Sequence, residues 1–237
     1  MKICLLAILL WVTSAPANVF GPDARARLSV VHEEFRSVGL VLKRAADGKV
    51  LEQCTGTLMA ERLVLTALHC LGDHATFTLT VDGIKHMAHI IHARGGEWRT
   101  ERDSRRGDWA LVTLDRTLPF TGKFLKLGAR PRAGETITAL GFPIDIDDGR
   151  SLTAHFACKI RSVLRDGVVH HDCHTHAGSS GGPLLRKRGD VWEIVGIHNA
   201  HKSRGTLGLT RPTYQPEYAN LGAGADVFTS ELATLSK

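Results

Sequence analysis

An all-β fold is predicted by three features of this chain. Short apolar, β-branched runs recur along most of its length. Asp-Gly pairs and other turn residues separate them, and helical periodicity is weak except near the end. In order, Val38-Gly39-Leu40-Val41-Leu42 leads to Asp47-Gly48, a hairpin signal. Leu63-Val64-Leu65-Thr66 follows the next break, and Phe77-Thr78-Leu79-Thr80-Val81 ends at Asp82-Gly83. Further runs lie at 109–114, 136–140, 156–163, 168–169 and 191–197. Short strands at this spacing close into a sandwich or a barrel. Residues 227–235 have the pattern of a short terminal helix, and 117–128, with Pro119 and Gly122, suit a crossing between two halves. There is no internal repeat and no low-complexity tract.

The chain opens MKICLLAILLWVTSAPA, which has the make-up of a secretory signal: Lys2, an apolar core over 3–12, and small residues at Ala15-Pro16-Ala17. Cleavage is expected after Ala17. The core is short of the roughly 20 apolar residues of a membrane span, and no later stretch suits one, so no membrane association is expected after cleavage. Export to the periplasm or beyond the cell follows. About 220 residues then remain, enough for two packed units, 18–120 and 121–237, each with its own core.

Cys4 leaves with the signal, and Cys54, Cys70, Cys158 and Cys173 remain. An even count in an exported chain suggests two disulfides. Four cysteines allow three pairings; Cys54 with Cys70 and Cys158 with Cys173 is the simplest, since each pair lies in one half. The formal charge of +6 permits weak attraction to anionic polymers. The basic stretch 99–106 is interrupted by Glu101 and Asp103 and has no aromatic platform, so it reads as a solvated loop and no nucleic-acid partner is expected.

Three short segments carry chemistry. Thr66-Ala67-Leu68-His69-Cys70 follows an apolar strand, Asp108 opens another, and Gly178-Ser179-Ser180-Gly181-Gly182-Pro183 surrounds a serine with glycine. A serine hydroxyl is a poor nucleophile until a base takes its proton, and a histidine does this near neutral pH. A buried carboxylate fixes the imidazole tautomer. Glycines let backbone N–H groups approach a developing oxyanion. Asp103 is a weaker partner than Asp108 because no apolar strand follows it, and Asp172 lies too near Ser180 in sequence.

With these segments in the order His, Asp, Ser, the chain resembles the chymotrypsin-fold, trypsin-like serine proteases. CTGTLMAERLVLTALHC resembles that family's run from a cysteine through a strand to the histidine. GDWALVTLD resembles its aspartate strand, and GSSGGPLL its nucleophile loop. The resemblance runs from about Val38 to the C-terminus. It implies two six-stranded antiparallel β-barrels with the site in the cleft between them, and a short C-terminal helix. His69 is then the general base and later the acid, Asp108 orients it, and Ser180 is the nucleophile. The N–H groups of Gly178 and Ser180 form the oxyanion hole. Cys54–Cys70 staples the histidine loop and Cys158–Cys173 the wall before the nucleophile. Protein or peptide substrates, no cofactor, no metal and a monomer are expected.

Two departures bear on activation and specificity. Trypsin-type enzymes place an aspartate just before the nucleophile to capture a new amino terminus; here that residue is Ser179, and no Ile-Val-Gly-Gly start is present. Val19-Phe20-Gly21-Pro22-Asp23 resembles instead the start of bacterial relatives. Trypsins also carry an aspartate six residues before the nucleophile, where this chain has His174. Thr175 and His198, the latter after Val195-Gly196-Ile197, resemble the pocket residues of bacterial glutamyl endopeptidases. A pocket of His174, Thr175 and His198 would take Glu, less often Asp, because hydroxyl and imidazole can bind a carboxylate. The alternative is a pocket for small or apolar residues with His198 as packing; Asn199-Ala200 departs from the family's aromatic-glycine pair.

Two other classes compete. A zinc hydrolase would use some of the 13 histidines, HHDCHTH above all, but there is no HExxH and no CxxC pair. His86, His89 and His92 recur every third residue, which does not hold one face of a strand. An inactive protease homologue acting as a binding module usually lacks a triad member, and all three are present here. Arg106-Gly107-Asp108 invites an adhesion reading that a buried Asp108 would remove.

Overall fold

A computed structural model describes residues 18–29, 32–96, 104–202 and 213–235. The expected signal, Asp103 and most of the basic stretch lie outside these residues. Two rings of strands make up the fold, as the resemblance implies.

A three-residue strand, β1 (Arg25–Arg27), comes first. The first ring then uses β2 (Val38–Arg44), β3 (Val50–Ala60), β4 (Leu63–Thr66), β5 (Thr76–Val81), β6 (Ile84–Gly95) and β7 (Ala110–Leu114). It closes in the order β2-β3-β4-β7-β6-β5, every pairing antiparallel. The Asp82-Gly83 signal is met by a two-residue hairpin in which Val81 faces Ile84. Both turn residues have positive φ (50° and 79°), the twist that matches a right-handed strand pair.

After β8 (Lys126–Leu127), the second ring uses β9 (Thr136–Gly141), β10 (Thr153–Val163), β11 (Val168–His171), β12 (Pro183–Arg188), β13 (Val191–His201) and β14 (Asn220–Gly224). Its strands run β10-β11-β14-β13-β12-β9, and β9 pairs back onto β10 to close it. Two short strands extend this sheet: β1 pairs antiparallel with β10, and β8 runs parallel to β13. Helix α1 (Ser104–Gly107) precedes β7, and α2 (Ala225–Leu235) ends the described chain.

Side chains pointing inward from the first ring, among them Val41, Leu58, Val64, Phe77, Leu79 and Leu114, are fully buried. Their cluster continues through Leu140, Leu185, Ile194 and Ile197 of the second ring, so the two rings share apolar contact rather than meeting as separate bodies. Burial of this kind stabilises by roughly 1.5–3 kcal/mol per large apolar side chain. Ile137, Ile160, Val169, Leu184 and Val195 fill the second ring. Disulfides join Cys54 to Cys70 and Cys158 to Cys173. Phe228 of α2 packs on Trp109 with ring centroids 5.7 Å apart, bracing the residue beside Asp108.

Candidate active site

Strand register brings His69 to Asp108. β4 and β7 pair antiparallel with Thr66 opposite Ala110. His69 lies three residues after Thr66, on a 3-10 turn (Leu68–Cys70), and Asp108 two residues before Ala110. Both therefore leave the same end of the ring. The carboxylate of the buried Asp108 accepts the His69 backbone N–H at Oδ1 (3.0 Å), and its Oδ2 lies 2.7 Å from Nδ1 of the ring. These two contacts assign the proton to Nδ1 and leave Nε2 free to accept one.

The Ser180 loop joins β11 to β12 and is held by both rings. Thr55 of β3 supplies three bonds: its N–H donates to the Ser180 carbonyl (2.7 Å), its hydroxyl donates to the Gly178 carbonyl (2.7 Å), and the same hydroxyl accepts the Phe142 N–H (3.1 Å). The Ser180 carbonyl also lies 3.9 Å from Sγ of Cys70, the neighbour of His69. Asn199 makes the return tie, its amide donating to the Asp108 carbonyl at 3.2 Å. Thr55 and Asn199 were not among the expected site residues; Thr55 adjoins a cysteine in the histidine segment, but nothing local marks its hydroxyl as a bridge.

Peptide orientation follows from these bonds. A trans peptide points its N–H opposite to its C=O. The Ala177 carbonyl accepts the Ile144 N–H (2.8 Å) and the Ser179 carbonyl accepts the Gly182 N–H (2.9 Å). The N–H groups of Gly178 and Ser180 are thereby turned the other way, and among the described residues neither finds an acceptor. Gly178 (φ +95°) is required here: a Cβ would stand 2.3 Å from the Phe142 carbonyl oxygen. Ser179, which replaces the family's aspartate, is bonded inside the loop, donating its N–H to the His176 carbonyl (2.9 Å) and accepting the His176 N–H at its hydroxyl (3.3 Å).

Charge around His69 goes beyond Asp108. Glu52 of β3 places Oε1 3.8 Å from Nε2, and Lys43 donates to the His69 carbonyl (3.2 Å) while lying 3.7 Å from Glu52. Burial alone would push the imidazole pKa down; the bond and charge of Asp108, helped by Glu52, outweigh it and hold it above its ordinary value. As a general base His69 would work only when neutral, so in that role activity is expected to fall as pH drops through the raised value. Glu52→Gln removes one raising charge, and the acidic limb of a kcat/KM profile is expected to move to lower pH. An unmoved or upward-moved limb would contradict this electrostatic role.

The three pocket candidates have different surroundings. His198 is buried, and its Nδ1 meets Nε2 of His171 at 3.2 Å. β14 brings them close, pairing with β13 at His198–Gly222 and with β11 at His171–Asn220. Burial pushes His171 down to about 3 and His198 well below its usual value, so both are neutral at neutral pH. Thr175 is buried, and its hydroxyl has no partner among the described residues. The His174 ring is engaged by other residues: it accepts the Ala24 N–H at Nδ1 (3.1 Å) and packs on His155 of β10 with centroids 4.2 Å apart. Among the described residues no hydrogen bond or ring pairing joins His174 to His198.

In the histidine-rich segment the Cys173 sulfur is spent in the disulfide with Cys158, and Nε2 of His171 is spent on His198. The one described group whose ligand-type atoms converge within 4.8 Å is Cys54, His69 and Cys70, and its two sulfurs form a disulfide that offers no thiolate.

The profile of the trypsin-like peptidase domain matches residues 54–197, more than half of the chain. Serine protease 23 of Bos taurus is 24% identical over 228 residues, covering 78% of this chain and 57% of its own length. The Homo sapiens protein of the same name is 24% identical over 225 residues, covering 78% and 56%. The chain therefore spans a little over half the length of these curated relatives. Among solved structures, a Glu endopeptidase in complex with MPD superposes with a TM-score of 0.69 at 20% identity, covering 92% of this chain and 99% of that one. Neuropsin, a serine protease of mouse brain, superposes with a TM-score of 0.65 at 17% identity, covering 89% and 98%. Both likenesses concern the fold, which is that of the paired chymotrypsin barrels. Over more than half its length the sequence matches the profile as well, and the chain belongs to the family of trypsin-like peptidase domains.

Proposed function

We propose that the protein is an exported serine endopeptidase that cleaves protein or peptide chains after Glu, less often Asp, and acts as a monomer without a cofactor. The observation that carries the reading is the pair of contacts from Asp108 to the backbone N–H and Nδ1 of His69. With Nδ1 carrying the proton, Nε2 takes the proton of the Ser180 hydroxyl as its oxygen attacks the scissile carbonyl. The oxyanion is met by the N–H groups of Gly178 and Ser180. The imidazolium then protonates the leaving amine, and an acyl-enzyme on Ser180 remains. Water, deprotonated by the same imidazole, releases the acid and restores the serine.

Support for an acidic pocket comes from the unpartnered Thr175 hydroxyl and the buried His198–His171 pair. A neutral imidazole and a hydroxyl each offer a donor to a carboxylate, and the buried carboxylate in turn favours a proton on the imidazole. Export is supported by the two disulfides and the expected signal; among the described residues no helix is long and apolar enough to cross a membrane.

A fluorophosphonate probe is expected to label the wild-type protein and not Ser180→Ala. An unlabelled wild type would favour the binding-module reading. A peptide-library digest is expected to cut after Glu at least about tenfold faster than after Gln, the scale of a buried charge-assisted hydrogen bond. Equal cutting after Leu, Ala and Glu would remove the acidic pocket and leave the protease.

A further inference from the structure

A buried arginine far from the triad in sequence is joined to the nucleophile loop. Arg25 lies on β1, and its side chain is 2% exposed. Its guanidinium grips two carboxylates. Nε and Nη2 donate to Asp23 (3.0 and 2.7 Å), and Nη1 and Nη2 donate to Asp145 (2.9 and 2.6 Å). The planar fork makes both contacts geometrically specific. Burial alone would raise the Asp23 carboxyl; its bonds to Arg25 outweigh that and hold it below the usual range.

Each carboxylate reaches the wall before Ser180. Asp23 lies 3.6 Å from Nδ1 of His174, and the next residue, Ala24, donates its N–H to the same nitrogen. Asp145 lies 3.7 Å from Nδ1 of His176. Its neighbour Ile144 donates the N–H that holds the Ala177 carbonyl and so turns the Gly178 N–H. Asp145 sits in the connection from β9 to β10, where Asp147 and Asp148 have left-handed φ (51° and 52°), a conformation that non-glycine residues adopt at a cost. β1 holds this connection a second time, through Arg27 to Asp147 at 2.9 Å.

We propose that Arg25 is a positioning residue for catalysis: by clamping Asp145 it fixes Ile144 against the Ala177 carbonyl and thereby orients the oxyanion donor of Gly178. This rests on the reading of Gly178 and Ser180 as that donor pair. The segment ahead of the first barrel then belongs to the catalytic apparatus although it touches no reacting atom.

The test compares Arg25→Met, Arg25→Lys and Asp145→Ala with the wild type. The readouts are kcat and KM on one peptide substrate, the rate of Ser180 labelling by a fluorophosphonate, thermal unfolding, and amide hydrogen exchange over 174–182. Arg25→Met and Asp145→Ala are expected to lower kcat and labelling about 10- to 100-fold, as small misplacements of catalytic groups do. KM should stay within about threefold, since the donor acts in the transition state. Exchange should quicken in 174–182 and not in β4 or β7, and Arg25→Lys should fall between the wild type and Arg25→Met. If kcat and labelling stay within about twofold while only the unfolding temperature drops, Arg25 is structural glue and the proposal is overturned. Uniformly faster exchange, or no change in 174–182, overturns it as well. A wild type that resists the probe refutes the nucleophile instead, and the exchange data then decide Arg25 separately.

Discussion

Replacing Asp108 by asparagine is expected to lower kcat about 10⁴-fold with the fold retained. The reason lies in the two contacts the carboxylate makes. Oδ1 accepts the backbone N–H of His69, and Oδ2 accepts the ring N–H at Nδ1. An asparagine has one oxygen and one NH₂ for these two donors. If its oxygen keeps the backbone N–H, its NH₂ faces Nδ1, which must then be an acceptor. The ring proton moves to Nε2, the atom that receives the serine proton in the proposed mechanism. If the amide turns over, its NH₂ confronts the His69 backbone N–H and leaves that donor buried and unpaired, at a cost of about 1–3 kcal/mol. The first arrangement is therefore favoured, and it is the unproductive tautomer. Steady-state kinetics and ring-nitrogen NMR of His69 would check both halves. A loss below about tenfold, or a proton still on Nδ1, would contradict the assigned role.

The second large effect is expected at Gly178. Gly178→Ala should lower kcat about 10²- to 10³-fold with little change in KM, the loss typical of one oxyanion donor. The new Cβ would sit 2.3 Å from the Phe142 carbonyl oxygen. That oxygen has little room to yield, since it also accepts the Gln53 amide at 3.1 Å. The backbone at φ +95° disfavours any Cβ as well. Relief has to come from moving the peptide between Ala177 and Gly178, whose carbonyl Ile144 holds, and with it the donor N–H. Kinetics together with the unfolding temperature would separate a displaced donor from a general loss of structure. An unchanged kcat would argue that Gly178 faces no reacting oxygen.

The parts of this protein that could be read from its sequence are those in which local composition dictates local geometry. Apolar β-branched runs become strands because alternating side chains can be buried against a ring interior, and Asp82-Gly83 becomes a tight hairpin because those residues tolerate positive φ. β6 did not stand out as a strand: it is largely exposed, carries Lys85, His86, His89, His92 and Arg94, and shifts register between Ile90 and His92. Its pairing with β5 and β7 holds it where pattern does not. β1, three residues long, owes its existence to β10 in the same way.

The candidate site divides along the same line. His69, Asp108 and Ser180 could be named because each sits in a short segment whose neighbours suit its chemistry. The residues that hold those segments in place could not. Thr55 bonds to Gly178 across 123 positions of chain, Asn199 to Asp108 across 91, and Arg25 to Asp145 across 120. Hydrogen bonds over such separations depend on where two closed barrels bring their ends, and barrel closure is set by the register of every strand at once. His171 shows the limit most plainly. In sequence it belonged to a histidine-rich cluster for which a zinc site was weighed and set aside; in the fold it lies against His198, because β14 runs between their two strands. Segment chemistry is thus a property of neighbouring residues and is open to inspection along the chain, whereas the grip of Arg25 on Asp145 and the pairing of buried histidines arise only once distant strands have been packed together.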